Sequence, residues 1–265
     1  MKLTQKPKRQ TGFTLIEVMV SVAIFVVICG AIFGLLGDSQ KQFRTESQLL
    51  GSFQEARLGL DQIVRDASDA GYPPQNHFST LPTADKYTNS PVAWSPSYPA
   101  TPCLIGTGGG GTCTTPGDFD VIFEGDVDSS GVKWIRYQLQ RTTLYRGVTP
   151  KVAGADPVTA TNAVGVMLPY VTNVMNNASA TQIAQFQAAY PGMFPGGIAQ
   201  PIFQFSCDSA TGPVLCQNPG ALNSPLNVRD IEITLIVMTT QPDAQTGKVR
   251  LVELNGRGRR FNPNQ

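Results

Sequence analysis

Histidine is almost missing from this sequence, which has one histidine, His77, among its 265 residues. A catalytic triad built on histidine would have to use His77, and the Pro-rich segment around it suggests neither a base nor an orienting group. The sequence therefore gives no support to catalysis centred on histidine. We predict that the chain is not an enzyme and that it holds no cofactor and no metal ion.

Charged residues are also scarce, at 15% of the chain against a typical value of about 25%. Four of the 20 cations fall in the first 12 residues, which contain no anion: Lys2, Lys6, Lys8 and Arg9. The remaining chain has 16 cations and 19 anions, a net charge of −3. A body without excess positive charge has no general attraction for nucleic acid, so we predict no specific nucleic-acid binding.

Three segments resemble known binding motifs but lack residues that the chemistry requires. The glycine run 108–111 has no following Lys-Ser/Thr pair and no strand before it, which excludes a phosphate-binding loop. Residues 126–131 match the first half of a calcium loop, but Tyr137 stands where a bidentate glutamate is needed, so a polar hairpin turn is favoured. For the loop aromatics, packing is favoured over ligand stacking: Tyr87, Trp94 and Tyr98.

The most informative feature present is an apolar run of 24 residues from Phe13 to Leu36. As a helix it would be about 36 Å long, enough to span a bilayer. A cleaved secretory signal has a shorter apolar core, of about 7–15 residues, and ends at an A-x-A-like site; this run is longer and has no such site at its far end. The positive charges before the run would keep the leader in the cytoplasm and export the rest of the chain.

Five cysteines agree with an exported body. Cys29 lies inside the apolar run, and the other four form two local pairs in Gly/Pro-rich segments: Cys103 with Cys113, and Cys207 with Cys216. Such pairs suggest an oxidising compartment. Four cysteines allow three connectivities, of which sequential pairing is favoured; a four-thiolate zinc site is disfavoured because spacings of 10 and 9 residues do not match zinc knuckles. Each short bridge would stabilise the fold by roughly 2.5–3 kcal/mol.

Residues 12–17 read Gly-Phe-Thr-Leu-Ile-Glu and follow directly on the basic leader. This segment resembles the processing motif of type IV pilins and type II secretion pseudopilins. The resemblance implies that prepilin peptidase cuts between Gly12 and Phe13 and methylates the new Phe13 amine. It also implies that Glu17, placed four residues after Phe13 on the same helical face, pairs with the amine of a neighbouring subunit and sets the register of assembly.

The helix is expected to continue beyond the membrane to about Ala70, because Gly71 can cap it and Pro73-Pro74 cannot extend it. Apolar residues recur there at spacings of three and four: Leu49, Phe53, Ala56, Leu60, Ile63, Val64 and Ala67. Polar residues are assigned to the opposite face: Gln54, Glu55, Arg57, Asp61, Arg65 and Asp66.

Alternating apolar residues predict strands at 118–124, 132–139, 143–148, 164–174, 202–207, 228–239 and 249–254. The fold class is therefore α+β, with one long N-terminal helix packed on an antiparallel sheet. The expected organisation is a basic leader 1–12, a membrane-spanning half-helix 13–36, an amphipathic half-helix 37–71, a loop-rich insertion 72–117, a β-sheet ectodomain 118–255 and a frayed basic tail 256–265.

The body of the chain resembles PilW-type minor pilins first and J-type minor pseudopilins second. The residues that carry this more diffuse resemblance lie at the helix end, in the strand pair closing on Leu144-Tyr145-Arg146, at Tyr170–Val174, and in two strands near Phe203-Gln204-Phe205 and Asp230–Val237. It implies a single-pass protein of the bacterial inner membrane, with its ectodomain in the periplasm or on an extracellular pilus. The implied partners are prepilin peptidase, major and minor pilin subunits, and the membrane. A membrane-anchored binding protein or adhesin is the alternative from another class.

Overall fold

A computed structural model describes residues 12–106, 112–210, 212–218, 223–243 and 246–259. The expected long helix is present as α1, Leu15–Asp69, whose 55 residues extend about 83 Å. Ala70 caps its C-terminus in an extended conformation, and Gly71 follows at φ 92°. A backbone in this left-handed region strains any residue with a Cβ, so glycine at position 71 lets the chain leave the helix.

The expected α+β class, a long helix packed on antiparallel β-structure, is confirmed. The described strands form two antiparallel sheets, where one sheet was expected. The first sheet has the order β1-β2-β3-β4-β5 and comprises Val92–Ala93, Asp120–Gly125, Lys133–Gln140, Thr143–Pro150 and Met167–Val171. The second has the order β7-β6-β8-β9, from Phe203–Cys207 (β6), Val214–Leu215 (β7), Val228–Met238 (β8) and Leu251–Arg259 (β9). An isolated bridge between Val174 and Val237 links the two.

In the described part of the chain, the connections hold two further helices, α2 (Pro157–Thr161) and α3 (Ala180–Gln187), and three 3-10 turns. The C-terminal half of α1 lies across both sheets. Its buried face joins strand residues of each sheet in a common core, through Ala56, Leu60, Ile63 and Ala67. This half of the helix is therefore part of the core that the two sheets form.

Glycines let β9 approach α1 closely. A Cβ at Gly256 would lie 2.8 Å from a methyl of Val64, and one at Gly258 would lie 2.4 Å from the Cβ of Ala67. Both distances are shorter than van der Waals contact, so side chains at these two positions would push the strand away from the helix.

The loop-rich segment 72–117 contains the short strand β1 and buries Trp94, which is 1% exposed. Two sequence expectations are corrected by the fold. The tail does not fray at 256, because β9 continues to Arg259 and both Arg257 and Arg259 lie against Asp230; Arg260 lies outside the described residues. Asp66 belongs to the buried side of α1 and not to its polar face.

Candidate functional site

The start of α1 places the predicted processing residues in the open. Gly12 and Phe13 lie before the helix and are exposed, with 84% of Phe13 accessible. Thr14 is the N-cap residue. The spacing of four residues suggests that Phe13 and Glu17 share a helical face. In the structure the helix begins only at Leu15, so Phe13 lies outside it.

Glu17 instead reaches back to the N-cap. Its Oε2 accepts hydrogen bonds from the Thr14 amide and the Thr14 hydroxyl, both at 3.0 Å. The Thr14 hydroxyl in turn accepts the Glu17 amide at 3.4 Å. This is a capping box, which satisfies N–H groups that an isolated helix end leaves unpaired. The arrangement places the Glu17 carboxylate against the residue that follows Phe13.

The rest of the apolar run is exposed and packs against none of the other described elements. From Leu15 to Leu36 almost every residue is exposed, including Phe25, Ile28 and Phe33. The helix is long and apolar enough to cross a membrane. Because exposed apolar surface is unfavourable in water, this half of α1 requires a lipid or protein surrounding.

The four cysteines of the body form two bridges in the structure. Cys103 is joined to Cys113 with 5.0 Å between Cα atoms, and Cys207 to Cys216 with 4.8 Å. Cys207 is the last residue of β6, and Cys103, Cys207 and Cys216 are buried. Cys29, in the apolar half of α1, carries a free thiol.

Of the segments disfavoured as sites, the glycine run 108–111 lies outside the described residues, and the other two are packed or ion-paired. Asp128 of the turn after β2 pairs with Lys133 and bonds to Ser130, and these contacts lower its pKa to about 2. Trp94 and Tyr98 pack edge to face, with ring centroids 4.9 Å apart. Among the described residues no three His, Cys, Asp or Glu side chains are grouped as a metal site.

A buried polar contact between α1 and the first sheet was missed from sequence. Asp66, 2% exposed, accepts hydrogen bonds from the Tyr137 hydroxyl at 2.6 Å and from Arg146 Nη2 at 2.9 Å. Gln62 Nε2 donates to its other carboxylate oxygen at 2.7 Å. Burial, and then the charge of Asp66, raise the pKa of the Tyr137 phenol, so it stays protonated and donates. The charge of Asp66 favours the polar face; its position three residues after Ile63, on the apolar stripe, was the available signal.

Comparison with known proteins adds one finding. Residues 7–33 match the family described as the prokaryotic N-terminal methylation motif. No curated protein and no solved structure matches the chain. The match covers the end of the basic leader, the segment 12–17 and most of the apolar run, and it supports a substrate of prepilin peptidase in the type IV pilin and pseudopilin superfamily.

Proposed function

We propose that this chain is a minor pilin or pseudopilin, cut between Gly12 and Phe13, methylated on Phe13, and assembled with other subunits into a fibre. The observation that carries the proposal is the exposed motif at residues 12–17, which leads into α1, an apolar helix that is exposed over its first half. A PilW-type subunit that primes or caps a type IV pilus is the first assignment. A J-type subunit of a type II secretion system is the second.

The geometry of Glu17 supports its role in register. Cleavage after Gly12 creates an amine on Phe13, next to the Thr14 amide that Glu17 contacts at 3.0 Å. A charged amine at membrane depth is costly without a counter-ion. Glu17 is the only carboxylate between Phe13 and Leu36 in the sequence. Its carboxylate is therefore the one acidic group of this segment that could pair with the amine of a neighbouring subunit.

The ectodomain supports the assignment of the chain as a minor subunit and not as the major subunit of a fibre. Two sheets, two disulfide-closed loops and the folded insertion between α1 and β2 form a large and irregular surface. Such a surface suits a position at the start or the tip of a fibre better than repeated packing along its shaft. No catalytic step is assigned to the chain in this proposal.

The N-terminal residue of the membrane-extracted protein tests the proposal. Mass spectrometry should find N-methyl-Phe13 in cells that have prepilin peptidase and an unprocessed Met1 start in cells that lack it. A Met1 start in both strains would refute the proposal and favour the membrane-anchored binding protein. Co-purification with pilus subunits or with secretion subunits would then separate the PilW-type from the J-type assignment.

A further inference from the structure

A lysine, a glutamate and an asparagine meet in the interior of the first sheet. Glu124 lies on β2 and is 0% exposed, and Lys151 follows β4 and is 5% exposed. Asn89 precedes β1, 62 residues before Lys151. Neither the N-terminal motif nor the helix–sheet contact at Asp66 involves these three residues.

The lysine amine lies against the asparagine side-chain amide. Lys151 Nζ donates to Asn89 Oδ1 at 2.6 Å and to Glu124 Oε1 at 2.7 Å. It also donates to the main-chain oxygen of Tyr87 at 2.7 Å. The same Glu124 oxygen accepts the Asn89 main-chain N–H at 2.7 Å. The carboxylate therefore bridges the amine and the residue that carries the amide.

The second oxygen of Glu124 is linked to the same amide through a tyrosine. Glu124 Oε2 accepts a hydrogen bond from Trp134 Nε1 at 3.3 Å and contacts the Tyr98 hydroxyl. That hydroxyl lies 3.1 Å from Asn89 Oδ1. Burial, and then the charge of Glu124, raise the pKa of Tyr98, so its hydroxyl stays protonated beside the amide oxygen. Trp94 and Tyr87 pack around the group and limit the access of water.

We propose that Lys151 and Asn89 are joined by an intramolecular isopeptide bond, formed with Glu124 as the proton carrier. Glu124 takes a proton from the lysine ammonium, and the neutral Nζ attacks Asn89 Cγ while Tyr98 donates to the developing oxyanion. The Cγ–Nδ2 bond then breaks, and Nδ2 leaves as ammonia with the second proton of the attacking nitrogen. The products are one amide, one neutral glutamic acid and one ammonia. No oxidant, reductant or other co-reactant is required.

Two physical effects favour the reaction at this place. The fold holds Lys151 Nζ 2.6 Å from Oδ1, the oxygen bonded to the electrophilic carbon of Asn89, so the attack is an intramolecular step. The reaction also removes a buried ammonium and a buried carboxylate, two charges whose desolvation is costly even when they are paired. In water the same lysine and asparagine would not react, because neither effect would operate.

Peptide mapping of the full-length protein, extracted in detergent, tests the proposal. After reduction, alkylation and trypsin digestion, peptide 87–133 should be linked to peptide 147–229, with no cleavage after Lys151 and a combined mass lower by one ammonia. Recovery of peptide 87–133 alone, together with cleavage after Lys151, would overturn the proposal. A succinimide at Asn89-Ser90 also loses ammonia, but it leaves the two peptides separate and therefore counts against the proposal.

Two variants assign the roles. Asn89→Ala removes the electrophilic carbon and keeps the Lys151–Glu124 pair, so the protein should fold and yield no linked peptide. Glu124→Gln should also abolish the linkage, because an amide cannot carry the proton; circular dichroism would check that it is folded. A linked peptide in either folded variant would contradict the assigned chemistry.

Discussion

The two halves of α1 are parts of one helix but are stabilised by different surroundings. Between Leu15 and Leu36 almost every side chain is exposed, and apart from Glu17 the segment holds no charged residue. Between Ala56 and Asp69 one face is buried on two sheets and is fixed by the Asp66 carboxylate. The first half is stabilised by the surroundings of the protein, and the second half is stabilised by packing in the protein's own core. Substitutions in the two halves should therefore affect different measurements.

The largest effect is expected from Glu17→Ala. The variant should insert in the membrane and be cut after Gly12, but its incorporation into fibres should fall to background, because the only carboxylate of the apolar segment is gone. Immunoblotting of sheared fibres and of membranes measures the two fractions. Ser21→Ala, which loses one local bond to the Glu17 carbonyl, is the matched control and should assemble normally. Normal assembly of the Glu17 variant would show that fibre assembly does not depend on Glu17 in the first half of α1.

Asp66→Ala should lower the stability of the folded protein and leave N-terminal processing unchanged. It leaves Arg146 and the Tyr137 hydroxyl without their buried acceptor, at a cost of about 3 kcal/mol or more. Urea unfolding of the detergent-extracted protein measures the loss, while N-terminal processing should be unchanged. Asp61→Ala, at an exposed position of the same helix, should be close to neutral. Equal stability of the two variants would show that the Asp66 contact does not anchor the helix.

Removal of the Cys103–Cys113 bridge by a double serine substitution should reduce the free energy of unfolding by roughly 2.5 kcal/mol. The bridge constrains part of the insertion that packs beside β1, so the effect should be confined to the ectodomain. Thermal unfolding under oxidising conditions measures it, and wild type with added reductant is the comparison. A variant as stable as oxidised wild type would contradict this contribution.

Gly258→Ala should cost about 1–3 kcal/mol, because the added methyl would lie 2.4 Å from the Cβ of Ala67. Gly131→Ala is unsuitable as a control because Gly131 has φ 115°, a backbone conformation that would strain alanine. Gly51→Ala is suitable, since its Cβ would meet nothing within 4 Å in the middle of α1. Alanine also favours helix over glycine, so this control should be neutral or stabilising. A neutral Gly258 variant would show that β9 can move away from the helix without loss.

The smallest effect is expected at Asp128. Lys133 and Ser130 hold the pKa of Asp128 at about 2, below its ordinary value of 3.8. Its stabilising contribution is therefore complete above pH 3.8 and is lost as the pH falls through about 2. Asp128→Asn should melt slightly below wild type at pH 5, and the difference should narrow at pH 2. A difference independent of pH would exclude the ion pair as its cause.

Local patterns in the sequence predicted much of the secondary structure. Strand β8 was expected at 228–239 and is found at Val228–Met238, because alternating apolar residues and a following turn are local signals. The end of α1 was predicted within a residue or two from Gly71 and the two prolines after it. Residues 12–17 were recognisable because the motif is a short run of neighbouring residues.

Features that depend on distant partners were not predictable in the same way. Tyr137 and Arg146 lie 71 and 80 residues after Asp66, so the charge of Asp66 alone favoured an exposed position. The strand pattern does not indicate which strands pair, and it could not separate one sheet from two. The last residues of β9 include Gly256 and Gly258, which are weak strand formers, yet the proximity of α1 requires them.

The way α1 is attached to the sheets determines how the ectodomain bears a pulling force. From Leu60 to Ala67 the helix advances in the same direction as β9 from Gly256 to Gly258. A tension between the membrane and the ectodomain therefore runs along both elements and loads their interface in shear, so that many contacts share the force at once. Peeling, which would break contacts one by one, would need a force across the helix axis. The force that the connection can bear is therefore set by the interface of α1 with the sheets from Ala56 to Asp69.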